Sequence, residues 1–474
     1  MKKFIQNCLQ KNPNSFIRSD HQVYTYLEFL QVAEVQSRRL CEIVPYKAKC
    51  VIFCREELNT ALLLCSCFLA DKIPIIVSPH YGEQQCNNII NFIEPDILMT
   101  DAHDGYQINL VKDSTKYLEQ ERCSIEHEIQ DVSIIMCTSG TTGIPKGVMH
   151  SSESIQRNVL AITNYFKIDN HDTILISRPL YHCAALTGEF LTAMCSGSNI
   201  VFCNQIFSPA EIIKKSIEHN ITVLGTTPTM IKSLSVFVQR GNYNLKIRTF
   251  AVSGECLNRN TAEAMRKAFP DVRIYNVYGL TEAAPRVSYL PSELFDVYCE
   301  SVGIPLNDIK IKIVDQDFKE VSNGISGLVM VHTPSVMKGY YRNKELSDTV
   351  LKQAGWLVTG DIGYFDEKGL LYINSRMDDM IIKGGMNIYP KEIENQLIQV
   401  EEIKECLAYG ERKNDTQTII LDVVLHEKYK SISEKEIMKI ISKKLPAYQI
   451  PSKIRIVDEL EKGPTGKVKR RKLS

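Results

Sequence analysis

Fifteen residues, Met136 to His150 (MCTSGTTGIPKGVMH), gather the groups that grip an anion. Thr138, Ser139, Thr141 and Thr142 bring hydroxyls, and Lys146 brings a full positive charge. Gly140 and Gly143 allow backbone angles that turn several N–H groups toward one point. A following helix would add the partial positive charge of its N-terminus. The spacing is not G-x-x-x-x-G-K-[ST]: counted from Gly140, the sixth position is Pro145, which disfavours a Walker-type kinase or GTPase. Taken alone, the composition fits a Thr/Gly/Pro surface turn equally well. A second candidate is GPTGK, Gly463 to Lys467, where two glycines flank Pro464 and Thr465. Such a loop can present Lys467, although Lys467, Lys469, Arg470, Arg471 and Lys472 also read as a solvated basic run.

These residues need elements to hold them. The middle of the chain alternates short apolar or β-branched runs with helical patterns. Strands are expected at 133–137, 199–203, 221–224, 247–252 and 273–277. Helices are expected at 152–166, 209–219, 229–238 and 261–268. In the first helix Ile155, Val159, Ile162 and Phe166 share a face, with Ser152 placed to cap. Such alternation implies crossover connections and largely parallel sheets flanked by helices. From Ile309 the texture changes to IKIKIV and GLVMVHT, a smaller antiparallel β region, and after Arg376 a compact α/β segment follows.

Composition narrows the function classes. With 474 residues, 44% hydrophobic and 24% charged, the chain can bury a large core in more than one domain. A formal net charge of zero gives no support for nucleic acid as a partner. The apolar run Ala61–Ala70 is about half of what a membrane span needs. The N-terminus breaks its apolar run at once on Gln, Asn and Lys, so it does not read as a signal peptide. The 15 cysteines form no C-x-x-C pair, which points to reduced thiols and a cytoplasmic location.

TSGTTGIPKG resembles the phosphate loop of the adenylate-forming superfamily: acyl-CoA synthetases, firefly-type luciferases and stand-alone adenylation domains. Four further segments resemble that family's signatures in the same order. They are NVYGLTE (Asn276–Glu282), GWLVTGDIGYFDEKGLLYI (Gly355–Ile373), SRMDDMIIKGGMNIYPKEIE (Ser375–Glu394) and PTGKVKRRKL (Pro464–Leu473). The resemblance covers essentially the whole chain. It implies a large N-terminal domain, residues 1–376, of parallel-sheet α/β subdomains plus a small β region. A small mobile α+β lid, residues 377–474, would follow a hinge near Asp378. The stretch before the phosphate loop is short for the family, which implies a trimmed first subdomain.

The implied reaction activates a carboxylic acid with ATP and Mg²⁺ to an acyl-adenylate, releasing pyrophosphate. The acyl group then passes to a thiol, of coenzyme A or of a carrier protein's phosphopantetheine. By resemblance, Thr138, Ser139, Gly140, Thr141, Thr142, Gly143 and Lys146 would hold the β/γ-phosphates. Thr281 would take an α-phosphate oxygen and Glu282 the Mg²⁺, a hard cation suited to oxygen ligands. Ser253, Gly254 and Glu255 would wall the adenine, with Asn276, Val277, Tyr278 and Gly279 alongside. Asp361 would bind the ribose hydroxyls, with Ile373 near and Arg376 on ribose or phosphate. Lys467 would bridge carboxylate and α-phosphate. Lid rotation about Asp378 would then bring Lys383, Gly384 and Gly385 to the thiol channel. Asp378 and Asp379 also read as a plain polar turn.

For the acid itself, Glu189 sets a register against amino-acid-activating relatives, which place an Asp five residues earlier. Here that position is Ala184, so an α-ammonium would lie unpaired, and an α-amino acid is disfavoured. Ala185, Gly188, Gly225, Ala251 and Val277 are small walls that leave volume for an aryl ring or medium acyl chain. His182, in PLYH, matches a histidine that family relatives place near the carboxylate, and it also reads as a core histidine. Arg286 has two readings: at the pocket's far wall facing a second carboxylate or phenol, or facing solvent past the turn at Pro285. The chain ends seven residues after Lys467, so the thiol is expected in trans. Two other outcomes stay open: a reaction ending at the adenylate or passing to a non-thiol acceptor, and an inactive binding relative.

Overall fold

The computed structural model describes residues 1–102, 105–110, 127–138, 146–203, 208–241, 243–383, 386–413, 416–461 and 468. It divides into two compact units: residues 1–299, 303–310 and 331–357, and residues 300–302, 311–330 and 358–474.

The first unit is organised around a nine-stranded sheet. Its centre is parallel, in the spatial order Arg273–Gly279, Thr249–Val252, Val223–Thr226, Thr173–Ile176, Asn199–Phe202 and Phe16–Arg18. Antiparallel strands Arg286–Leu290 and Ile304–Pro305 extend one side. Val223–Thr226 and Asn199–Phe202 flank Thr173–Ile176 on opposite sides, so the chain reverses its direction of travel across the sheet there. In open α/β sheets the crevice at the carboxyl ends of the strands beside such a reversal is where ligands bind.

Helices Pro209–Glu218, Pro228–Arg240 and Arg259–Ala268 cover one face, with Ile212, Ile231, Leu234 and Met265 packed on Leu224, Phe250 and Ile274. Each starts on a side-chain cap, Ser208, Thr227 and Asn258, and the first two follow the cap with proline at the first helical position. The helix Ser152–Phe166 matches the expected span, but its cap is Ser151, whose hydroxyl accepts from the Ser154 N–H at 3.1 Å. Thr173–Ile176 is a strand the periodicity did not single out: TILI is too short and too uniformly buried to show alternation.

A second sheet of the first unit joins Lys49–Phe53, Ile73–Ile76, Ile97–Ala102 and Gly105–Leu110. The phosphate-loop strands Ile134–Thr138 and Lys146–His150 pair antiparallel, with Thr138 opposite Lys146. In the second unit, residues 361–365 of the strand Trp356–Phe365 pair antiparallel with Leu371–Arg376, as expected of the small β region. Its C-terminal part packs Pro390–Leu397 and Glu434–Ile441 around the sheet of Ile403–Lys413, Thr416–Leu425 and Lys453–Ile456. Among the described residues no helix is long and apolar enough to cross a membrane, and every cysteine is free.

Candidate active site

The segment after Arg273–Gly279 carries Thr281 and Glu282 in a single 3-10 turn, Thr281–Ala283. Three separate elements pin that turn. His150, at the end of the phosphate-loop strand, donates from Nε2 to the Thr281 carbonyl at 2.7 Å. Burial pushes His150 down to about 4, with the Thr281 bond opposing, so its ring is neutral at ordinary pH. Asn158, on the helix Ser152–Phe166, donates to the carbonyls of Ala283 at 3.2 Å and Arg286 at 2.9 Å. The Met337 N–H donates to the Glu282 carbonyl at 2.9 Å, and the Tyr340 hydroxyl donates to Glu282 Oε1 at 2.7 Å. The Lys146 ammonium lies 5.5 Å from the Tyr340 ring centroid. Tyr340 therefore stands between the phosphate-loop lysine and the acidic residue. Of the phosphate loop itself, 139–143 fall outside the described residues, as does the Thr138 side chain.

The adenine-wall residues follow Thr249–Val252. Gly254 adopts φ +97°, a turn conformation that favours glycine. Glu255 accepts from the Thr229 hydroxyl at 2.8 Å, and Ser253 Oγ accepts from Arg178 Nη1 at 2.9 Å. Asn276, buried, donates to the Cys299 carbonyl at 3.1 Å. Val277 and Tyr278 are buried on the same strand, and Gly279 pairs with Arg286. A side chain at Gly279 would collide with the Pro285 carbonyl, which explains the glycine.

The acid pocket differs from its expectation. Ala185 and Ala251 are buried small walls, but the faces of the two glycines are taken. The segment Leu186–Leu191 is π-helical, a winding often found at functional sites. It presents Gly188 to the Arg286 guanidinium, whose Nη2 lies 3.1 Å from where a Cβ would be. The next residue, Glu189, covers Gly225 and pairs with Arg178. Both partners of that pair are almost fully buried, at the carboxyl ends of the strands where the sheet reverses. The open volume expected over Gly188 and Gly225 is thus occupied by charged side chains. The solvent-facing reading of Arg286 is overturned, since it is only 2% exposed. His182 is half-buried at the N-cap of Cys183–Ala185, its ring 4.2 Å from that of Tyr181; Ala184 is half-buried in the same short helix.

In the second unit, Asp361 is buried, and Oδ1 pairs with Arg376 Nη1 at 3.1 Å across the strand pair. Ile373 lies opposite Gly363 beside a bulge. Asp378 is exposed in the turn Met377–Asp379. Lys383 pairs with Met386 through the backbone, while Gly384, Gly385 and Lys467 fall outside the described residues.

The description of the AMP-binding enzyme family matches residues 5–341, and that of its C-terminal domain matches residues 392–467. The chain belongs to the AMP-binding enzyme family. It is 30% identical over 378 residues to a long-chain-fatty-acid–CoA ligase of Escherichia coli O157:H7, covering 78% of this chain and 64% of that one. It is 27% identical over 468 residues to a 2-succinylbenzoate–CoA ligase of Bacillus licheniformis, covering 96% and 95%. Among solved structures it resembles o-succinylbenzoate CoA synthetase (MenE) of Bacillus subtilis in complex with the acyl-adenylate intermediate OSB-AMP (TM-score 0.84, 24% identity, 100% and 99% covered). It also resembles ATP-bound MatB of Rhodopseudomonas palustris (TM-score 0.85, 22% identity, 99% and 97% covered). At these identities the structural likeness is one of fold.

The donor set fits an AMP-binding enzyme's magnesium. Glu282 offers one half-buried carboxylate, held by Tyr340 through a single oxygen, and a hard cation sharing phosphate and water ligands needs no more from the protein. Tyr340, His150, Asn158, Tyr165 and Arg178 escaped the sequence reading. A signal for Arg178 was available: a charged residue just past the carboxyl end of an apolar strand, here two residues after Ile176, sits at the ligand-binding edge of a parallel sheet.

Proposed function

We propose that this chain converts a carboxylic acid and ATP to an acyl-adenylate and pyrophosphate, then transfers the acyl group to the thiol of coenzyme A. The reading rests most on one observation: Thr281 and Glu282 are fixed at the sheet's carboxyl edge by bonds from His150, at the end of the phosphate-loop strand, and from Tyr340. Fixed donors and charges of this kind lower the barrier because they need no reorganisation as charge develops.

In the first step a carboxylate oxygen attacks the α-phosphorus, and the bond from that phosphorus to the bridging oxygen breaks, releasing pyrophosphate. Lys146 and the loop 138–143 hold the β/γ-phosphates, and Thr281 holds an α-phosphate oxygen. Glu282 holds Mg²⁺, which neutralises phosphate charge when bound. Ser253, Gly254, Glu255 and Asn276–Gly279 line the adenine side. Asp361 takes the ribose hydroxyls, with Ile373 and Arg376 beside it. His182 lies by the carboxylate, in a pocket that includes Ala184, Ala185, Ala251, Val277 and Arg286. Lys467 bridges the two reacting anions. In the second step the thiol loses its proton as its sulfur attacks the acyl carbon, and AMP departs.

Between the steps, residues 377–474 turn against residues 1–376 about Asp378, and Lys383, Gly384 and Gly385 line the thiol's approach. The relatives named above are CoA ligases, which favours coenzyme A over a carrier protein. The free cysteines support a cytoplasmic location. Acid-dependent exchange of labelled pyrophosphate into ATP, across aryl, fatty, dicarboxylic and amino acids, tests the first step. No exchange with any of them overturns the reading. Adding coenzyme A or a carrier protein to the exchanging acid identifies the acceptor.

A further inference from the structure

Arg286 starts the strand Arg286–Leu290 with its backbone fully engaged: its N–H donates to Asn158 Oδ1 at 3.0 Å, and its carbonyl accepts from Asn158 Nδ2 at 2.9 Å. Its guanidinium is another matter. Nε is buried with no hydrogen-bond partner, and among the described residues no ion pair reaches it. Glu189, next in sequence to Gly188, pairs through Oε1 with Arg178 and not with Arg286. Beside the guanidinium lies the buried Tyr165 hydroxyl, which feels Arg286 both as a charge and as a hydrogen-bonding neighbour. Gly188 brings no side chain to the contact.

A guanidinium cannot escape burial by losing its proton. A buried cation without a counter-charge is costly, and a native structure that keeps one has a reason for it. The position supplies the reason. Arg286 pairs in register with Gly279, two residues before Thr281, so it stands at the same sheet edge as the Thr281–Glu282 turn. The Cys183 thiol, next to His182, is pushed up to about 12 by burial, and it feels Arg286 and Glu282 in opposite senses. An anion seated on Arg286 would therefore be the far end of a molecule whose near end lies by His182 and Thr281.

We propose that Arg286 determines acid specificity by receiving a second carboxylate of the substrate, with Tyr165 as an additional hydroxyl donor, so that the acid activated is a dicarboxylate. This rests on the acid-activating reading above and narrows it. The planar fork of arginine matches a carboxylate through two parallel hydrogen bonds. A phenol, neutral near pH 7, would leave the cation uncompensated. A plain alkyl chain would leave the buried cation without a counter-charge.

The test is pyrophosphate exchange by the full chain with length-matched pairs of acids: butyrate and succinate, hexanoate and adipate, benzoate and isophthalate. The dicarboxylate member of at least one pair is expected to win in kcat/KM by about 10²-fold or more, as when a site built for a polar group meets an analogue lacking it. In Arg286→Met that ratio should collapse toward one, and Arg286→Lys should keep part of it. Thermal melting and ATP binding of both variants establish that they fold. Monocarboxylates favoured in every pair, or Arg286→Met lowering both members of the preferred pair equally, would overturn the assignment while leaving acid activation intact. No exchange with any acid would remove the acid-activating reading, and this inference with it.

Discussion

The two ends of the first unit's sheet edge are built on opposite principles. At the nucleotide end the groups that pin the Thr281–Glu282 turn are partnered within the chain: Glu282 has Tyr340, the Thr281 carbonyl has His150, and Asn158 is satisfied on both sides. At the acid end the long side chains keep orphans: Arg286 Nε, Arg178 Nε and Glu189 Oε2 are buried without hydrogen-bond partners among the described residues. A ligand common to a whole family can be met by a rigid, self-satisfied frame. A ligand that distinguishes one member must complete something unfinished, because only an uncompensated group penalises the wrong occupant.

The largest effect should come from breaking the one compensated pair at the acid end. Glu189→Ala leaves Arg178 buried without its counter-charge, and should cost about 3–5 kcal/mol in chemical unfolding. Replacing both partners together, Arg178→Met with Glu189→Leu, should recover most of that loss. A cost for Glu189→Ala below about 1 kcal/mol would mean the pair does not hold the pocket, and the contrast between the two ends would fail.

Next in size, Lys467→Ala should slow adenylation by about 10²–10³-fold while leaving thioester formation from a supplied acyl-adenylate unchanged. Rapid-quench measurement of each half-reaction separates the outcomes. Equal losses in both, or none in either, would return Lys467 to the basic run it resembles in composition.

The same contrast explains what was legible in the sequence. The residues proposed for the nucleotide end lie in contiguous stretches, TSGTTGIPKG and NVYGLTE, whose turn-forming composition has a local signature. The helix Ser152–Phe166 was equally plain, since Ile155, Val159 and Ile162 repeat on one face. The acid end could not be read this way. Gly188 and Gly225 look like empty space in the chain, and only the fold brings Arg286 and Glu189 over them from elsewhere. Tyr340 escaped for the same reason: its bond to Glu282 joins residues 58 positions apart, and no periodicity records that.

Tyr340→Phe tests that bond with a smaller effect. A hydrogen bond to a charged group contributes about 1.5–3 kcal/mol, less when the carboxylate keeps some contact with water, as half-buried Glu282 does. A rise of about tenfold in the KM for magnesium-ATP is expected, with the preference among acids unchanged. A shift in acid preference would show that the two ends are not independent.

The smallest effect is a pH dependence that separates the ends by sign. At the acid end Glu57 accepts from the Leu180 N–H at 3.1 Å, under the segment that carries Tyr181 and His182. Burial pushes this carboxyl from an ordinary 4.5 up to about 8; the Leu180 bond opposes the shift, and Glu56 and Asp101 reinforce it. Between those values the native chain holds a proton that the unfolded chain has lost, so stability falls as pH rises, and the loss is complete above about 8. At the nucleotide end His150, pushed from 6.5 to about 4, binds fewer protons folded than unfolded. Its contribution therefore rises with pH between about 4 and 6.5 and is flat above. From pH 6.5 to 8 Glu57 adds a slope of at most about 1.4 kcal/mol per pH unit, on top of other groups that titrate there, such as Cys195, held down to about 7. Glu57→Gln can still accept from Leu180 but does not titrate. Melting temperatures across that window should fall more steeply for the native chain than for the variant. Parallel curves would mean that Glu57 is ionised in the fold, and that the acid end carries no more titratable strain than the nucleotide end.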